Sequence, residues 1–261
     1  MPTELLNLLS AKNIIVFIIV ITRLSGFFVS APFFSTYPIP NQIKVWLCAT
    51  IAFLIYPILL SKGNFIIPND MFSLSIYLIL EFAIGFLIGF IINLLFIAIK
   101  VGGNALSIQV GISASETMDP NTGINNDSIS QLYIYLASFV FFAINAHIYL
   151  FEAIYQSFLT IEPGKGLILS PDFVHQVIIL VSGIFSTGLK IIFPIFAVMI
   201  TVEILIAFVA KLMPQMNIFM VSLPFKILLG LFLMIVFTLS TADYFSKLIE
   251  NYFVQILDLL R

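Results

Sequence analysis

The sequence predicts an all-α membrane protein that crosses a bilayer several times, and three observations carry that prediction. Of its 261 residues, 61% are hydrophobic and 9% charged, with a mean hydropathy of +1.15; a typical soluble domain has about 25% charged residues. Eleven Lys and Arg with thirteen Asp and Glu are too few to cover a soluble monomer of this size. The apolar residues also gather in blocks, at roughly 13–34, 43–60, 72–99, 129–158, 174–210 and 218–240, and about 20 such residues span a bilayer as a helix. Short polar turns, "STYPIPNQ", "SKGNFIIPND", "EPGKGLILSPD" and "MPQMN", separate most of them. With no internal repeat or linker, residues 1–261 read as one helical membrane domain.

The first block imitates a secretory leader, with Lys12, "IIVFIIVIT" and then "VSA" at 29–31. Arg23 interrupts its apolar core and Pro32 would follow the cut, so it reads as the first helix of the mature chain. The second block, barely long enough to span, holds the single cysteine, Cys48, in "VWLCATIAF". With no second thiol in the chain, its expected role is that of a small buried residue. Along the third block Ser73, Tyr77, Glu81, Gly85, Gly89 and Asn93 recur every four residues, forming one slowly winding stripe. Gly85 and Gly89 make a GxxxG step, which allows close helix approach.

Residues 101–128, "VGGNALSIQVGISASETMDPNTGINNDS", read as a long loop. Its glycines make the backbone permissive and Asp119-Pro120 signals a turn. A solvent loop accounts for Glu116, Asp119 and Asp127, whereas the apolar "ALSIQVGISA" suits a re-entrant or plug-like segment. In the fourth block Gln131, Ser138, Asn145 and Glu152 recur every seven residues on one predicted face. The fifth block is too long for one ordinary span, and Pro194 predicts a kink or a pair of short arms. Ser182, Ser186 and Lys190 form its polar seam.

Ionisable residues inside apolar blocks are the informative feature: Arg23, Glu81, His147, Glu152, Lys190, Glu203 and Lys226. A charge at mid-membrane costs roughly 2.5–3.5 kcal/mol, so the six other than His147, which is counted as neutral, would cost on the order of 15–20 kcal/mol facing lipid. A whole domain is stable by only about 5–15 kcal/mol. These groups must therefore pair, face protein or face water. Packing within a self-contained bundle and contact with partner subunits or a wet passage both satisfy that demand. Basic residues do not decide the orientation: Lys12, Lys62, Lys165, Lys247 and Arg261 fall on one side, and Lys44, Lys100 and Lys211 on the other.

Nothing nominates an enzyme. HExxH, GxSxG and a Gly-rich loop ending in Gly-Lys-Ser/Thr are absent. His147 and His175 lie far apart without cysteine company, so neither a metal nor a cofactor is expected. A net charge of −2 without a basic run gives no footprint for nucleic acid.

Several stretches together resemble a known family: "RLSGFFVSAPFF" (23–34), "EFAIGFLIGF" (81–90), "GNALSIQVGISASETMDP" (103–120), "FFAINAHIYLFEAIYQSF" (141–158) and "PQMNIFMVSLPFKILLGL" (214–231). Over nearly its whole length the chain is similar to the FliR family of flagellar type III export-gate subunits and their injectisome homologues. The Pro-Gln-Met-Asn-x-Phe run followed by Pro-x-Lys is the most specific part, and the Pro214 and Pro224 pair looks more like the flagellar branch. "NAH" at 145–147 departs from the family, which often has glycine before the histidine.

The resemblance implies helical hairpins, a FliP-like portion followed by a FliQ-like portion. It implies assembly with FliP-like, FliQ-like and FlhB-like subunits in the bacterial inner membrane, at the flagellar basal body, and passage of unfolded exported proteins. By the same resemblance, residues about 107–122 form a channel plug, with Gln109, Gly111, Met118, Asp119 and Pro120 as gating candidates. Arg23, Glu81, Asn93, Asn145, His147, Glu152, Lys190 and Glu203 become inter-helix or inter-subunit contacts. Pro214, Gln215, Asn217, Phe219, Pro224 and Lys226 form a helix-turn motif. There Pro214 ends one helix, and Lys226 or a neighbouring subunit is expected to satisfy the carbonyl that Pro224 leaves unpaired. A self-sufficient secondary transporter or channel, and a purely structural basal-body protein, are the rival classes.

Overall fold

A computed structural model describes residues 11–36, 39–62, 70–112, 128–161, 171–215 and 218–259. The described residues form helices and no strand. In chain order they are α1 (Ala11–Ser30), α2 (Pro32–Thr36), α3 (Asn41–Lys62), α4 (Met71–Val110), α5 (Ser128–Ala143), α6 (Ala146–Thr160), α7 (Pro171–Ser182), α8 (Ile184–Leu212) and α9 (Ile218–Leu259). Among them are five stretches long and apolar enough to cross a membrane, or six if the broken pair α5–α6 counts as one. The chain is a polytopic helical membrane protein.

The boundaries depart from the hydropathy blocks in four places. The expected loop 101–128 is helical as far as Val110, because α4 continues through Gly102 and Gly103. Both glycines are seats for other helices. A Cβ on Gly102 would lie 2.5 Å from the Gly188 carbonyl oxygen, and one on Gly103 would lie 2.5 Å from Ser130 Cα. That packing outweighs the helix-propensity cost of about 1 kcal/mol per glycine.

The fourth block is two helices, not one. Asn145 adopts φ +57°, a left-handed conformation that Asn tolerates better than most residues, and it ends the face expected to run from Gln131 to Glu152. Within α5 the buried stripe is Ile129, Tyr133, Ala137 and Val140, whereas Gln131 and Ser138 are half-buried. In the fifth block the interruption falls at Gly183, whose φ −74° and ψ −12° are nearly helical. Pro194, expected to kink the block or to divide it into two arms, lies inside α8 and does not divide it.

The last block runs to Leu259, not 240. Its final part is amphipathic, with Thr241, Phe245, Ile249, Tyr252 and Ile256 buried at helical spacing. Its polar outer face hid it from a search for continuous apolarity. At 1.5 Å per residue, α4 and α9, of 40 and 42 residues, are each about 60 Å long, twice the ~30 Å hydrocarbon core.

The chain divides into two compact units. Met1–Leu94, His147–Ile179 and Asn251–Arg261 make the first; its core includes Val20, Leu24, Phe27 and Ile84. Leu95–Ala146 and Leu180–Glu250 make the second, cored by Leu106, Phe141, Ile192, Ile195 and Phe245.

Candidate functional site

In the first unit, α1 carries Arg23 and α4 carries Glu81 into a fully buried pair. Arg23 Nε donates to Glu81 Oε2 at 2.6 Å, with side-chain exposures of 0% and 1%. The guanidinium uses its remaining donors on the end of α6, where Nη1 reaches the Ser157 carbonyl at 2.8 Å and Nη2 the Ile161 carbonyl at 3.2 Å. The carbonyls ending a helix lack intrahelical donors and carry partial negative charge, so a cation there caps α6. Arg23 Cζ also lies 4.2 Å from the Phe158 ring centroid, within cation–π range.

Small residues make this arrangement reachable. A Cβ on Gly85 would overlap the Arg23 carbonyl oxygen, and one on Gly26 the Phe82 carbonyl oxygen. Gly89 sits against the Ser30 hydroxyl, which itself donates to the Phe86 carbonyl at 2.8 Å. Gly26, Ser30, Ser157 and Phe158 were not singled out from sequence. The first two lie in the quoted "RLSGFFVSAPFF" stretch, where the Gly-x-x-x-Ser spacing was the available signal.

In the second unit, Glu203 on α8 gathers two donors. Gln109 Nε2, from the last turn of α4, donates to Oε2 at 2.8 Å, and Lys226 Nζ, from α9, donates to Oε1 at 3.2 Å. Lys226 is 15% exposed and Glu203 55%. Lys226 therefore points to a carboxylate, rather than to the backbone carbonyl expected to lose its donor at Pro224. Two residues beyond Gln109, Gly111 ends α4 with φ +93°, and its N–H bonds the Ser107 carbonyl at 3.0 Å. That conformation strongly favours glycine. Val110 packs against Gly230, where a Cβ would come within 2.6 Å of Val110 Cγ2. The end of α4 is thus held by a polar cluster and by close packing, immediately before residues 113–127.

The other candidates scatter. Asn93 and His147 are half-buried, while Asn145, Glu152 and Lys190 are exposed. Ser182 and Ser186 are exposed with Lys190, and the face that α8 buries is Gly188, Ile191, Ile192, Ile195 and Met199. Pro214 and Gln215 lie in an exposed turn just past α8, and Pro224 is exposed inside α9. Phe219 is in the first turn of α9. Met118, Asp119, Pro120 and Asn217 fall outside the described residues. Among the described residues no group of three or more His, Cys, Asp or Glu is placed to hold a metal ion.

Comparison with known proteins gives a single answer. The chain is 28% identical over 229 residues to the flagellar biosynthetic protein FliR of Buchnera aphidicola subsp. Acyrthosiphon pisum, covering 88% of this chain and 87% of the relative. It is 24% identical to FliR of Escherichia coli K12, covering 88% and 87%. It is also 27% identical to the surface presentation of antigens protein SpaR of Shigella sonnei, covering 90% and 91%. The model of the bacterial export proteins, family 1, matches residues 14–252, a stretch that contains both polar clusters, and the chain belongs to that family.

Proposed function

We propose that this chain is a core subunit of the flagellar type III protein export gate, in the bacterial inner membrane at the basal body. There it helps form the channel for unfolded export substrates and performs no catalysis of its own. The observation that carries this reading is the outward polar seam on a membrane span. Ser182, Ser186 and Lys190 are exposed within the apolar stretch His175–Leu212, whose apolar 18-residue window is only 22% buried inside this chain. A lysine facing lipid at mid-depth is costly, and a neighbouring subunit or a wet channel removes that cost. FliP-like, FliQ-like and FlhB-like membrane subunits are the neighbours that the family resemblance supplies.

Residues 107–122 act in this reading as the plug, with Gln109 fastened to Glu203 and Gly111 as the pivot. Native mass spectrometry of the tagged chain, gently extracted from its own membranes, tests the assembly. The expected particle holds one copy of this chain with several smaller membrane subunits. A monomer or homodimer, in cells that express those subunits, would favour the self-sufficient transporter. The likeness to SpaR, a relative not named for a flagellum, favours an injectisome gate as the second reading. Restoration of motility in a flagellar-gate null strain separates the two.

A further inference from the structure

We propose that the first unit carries a binding site for one anionic phospholipid, in the cleft between α1 and α3. The cleft has a volume of about 530 Å³ and is lined by Ile21, Ser25 and Phe28 of α1, Phe34 of α2, and Lys44 and Cys48 of α3, among others. That volume falls in the roughly 300–1,000 Å³ range of small-molecule sites.

Its two ends differ in chemistry. The C-terminal end of α1 lies beside the N-terminal end of α3, as Phe28, Val29, Asn41 and Lys44 share the cleft. The two apolar spans, Asn13–Ser30 and Asn41–Leu60, also stop at this end, which places it at a membrane–water boundary. Trp46, the only tryptophan of the chain, is 74% exposed one turn into α3, the position of an interfacial aromatic anchor. From Asn41 to Ala49 the wall runs about 12 Å along α3 into the hydrocarbon region, past Val45 to Cys48, whose Sγ lies 3.8 Å from the Ile21 carbonyl.

The mouth is thus polar and cationic and the depth apolar, which is the polarity of a phospholipid entering by one acyl chain. Lys44 is half-buried, and among the described residues no carboxylate pairs with it. A phosphate at the cleft mouth supplies the missing countercharge, while Asn41 offers an amide. By contrast, the cleft between α8 and α9, lined by Val202, Leu205, Val209, Val221, Ser222 and Phe225, has no charged residue in its wall. One lysine favours a lipid of net negative charge over a zwitterionic one, so phosphatidylglycerol is the expected class.

Cys48 makes the site directly readable, because it is the only cysteine in the chain and lines the cleft. The full chain, with whatever subunits co-purify, is placed in nanodiscs of dioleoylphosphatidylglycerol or dioleoylphosphatidylcholine, and Cys48 is alkylated with N-ethylmaleimide. Alkylation is expected to be about fivefold slower in phosphatidylglycerol. Lys44→Gln should bring the ratio of the two rates to about one, and the ratio is the readout because Lys44 lies one helical turn from Cys48 and a neighbouring cation also favours the reactive thiolate in either lipid. Ala49→Phe, which fills the cleft, should remove the difference without touching the lysine, and native mass spectrometry of the unsubstituted chain should retain one phosphatidylglycerol. Equal rates in the two lipids overturn the proposal, as does a difference that persists in Lys44→Gln. Protection that depends on companion subunits and not on lipid also overturns it, by assigning the cleft to a partner helix.

Discussion

Arg23 Nε and Glu81 Oε2 meet at 2.6 Å with both side chains buried, although 58 residues separate them in sequence. Three helices depend on the pair, since Arg23 also caps the end of α6. Removing one partner of a buried ion pair leaves the other charge uncompensated, which costs about 3–5 kcal/mol. Glu81→Leu is therefore expected to lower the amount of folded chain in the membrane severely. Arg23→Lys keeps the charge but loses the planar fork that reaches Glu81 and both α6 carbonyls together, so it should destabilise as well. Thermal unfolding of the detergent-solubilised chain measures both; stability equal to the parent in either variant would contradict the role given to the pair.

Two glycines predict opposite outcomes for the same substitution. Gly85→Ala places a methyl on the Arg23 carbonyl oxygen, so α1 and α4 must separate, at a cost of about 1–3 kcal/mol. Gly183 sits between α7 and α8 with helical dihedrals of −74° and −12°. There alanine restricts the unfolded chain without straining the folded one, and a gain of about 0.4–1 kcal/mol is expected. Melting temperatures of the two variants against the parent decide the matter, and a Gly85→Ala protein as stable as Gly183→Ala would refute the close-contact argument.

Asn145 sits at φ +57° between α5 and α6. Asn145→Gly should be tolerated, while Asn145→Val, β-branched and forced into the left-handed region, should lose about 1–2 kcal/mol. Circular-dichroism melts of the two variants are the comparison. A valine variant as stable as the glycine one would mean that the break relaxes into continuous helix.

How much was legible in the sequence depended on whether a signal was continuous. Long apolar blocks announced membrane helices, and the four-residue step through Glu81, Gly85 and Gly89 marked the face that α4 buries against α1. The end of α4 was hidden because Gly102 and Gly103 read as loop residues until Gly188 and Ser130 are seen packed on them. The last part of α9 was hidden for a different reason: its alternation of buried Phe245 and Ile249 with exposed Lys247 and Glu250 dilutes hydropathy while marking an amphipathic helix. Charge pairing was the least legible of all. Arg23 with Glu81, and Glu203 with Lys226, could each have been matched otherwise, since partners on different helices have no spacing rule.

The cluster on Glu203 yields the prediction closest to function. Glu203 accepts from Gln109 at 2.8 Å and from Lys226 at 3.2 Å, so Glu203→Ala removes both bonds and leaves the last turn of α4 held by the packing of Val110 on Gly230. If residues 107–122 plug a channel, that variant should raise the leak of small ions or of a membrane-impermeant dye across the inner membrane several-fold while the assembly stays intact. Lys226→Met keeps the Gln109 contact and should leak less than Glu203→Ala, although it removes the charge partner. The pair thereby separates loss of the fastening at Gln109 from loss of a surface ion pair, which is typically worth about 0.2–1 kcal/mol where exposed. Assembly is checked by native mass spectrometry and leak by dye influx in the same strains. A Glu203→Ala gate that assembles and stays as tight as the parent would remove this cluster from the gating account and leave the seal to other residues of the segment.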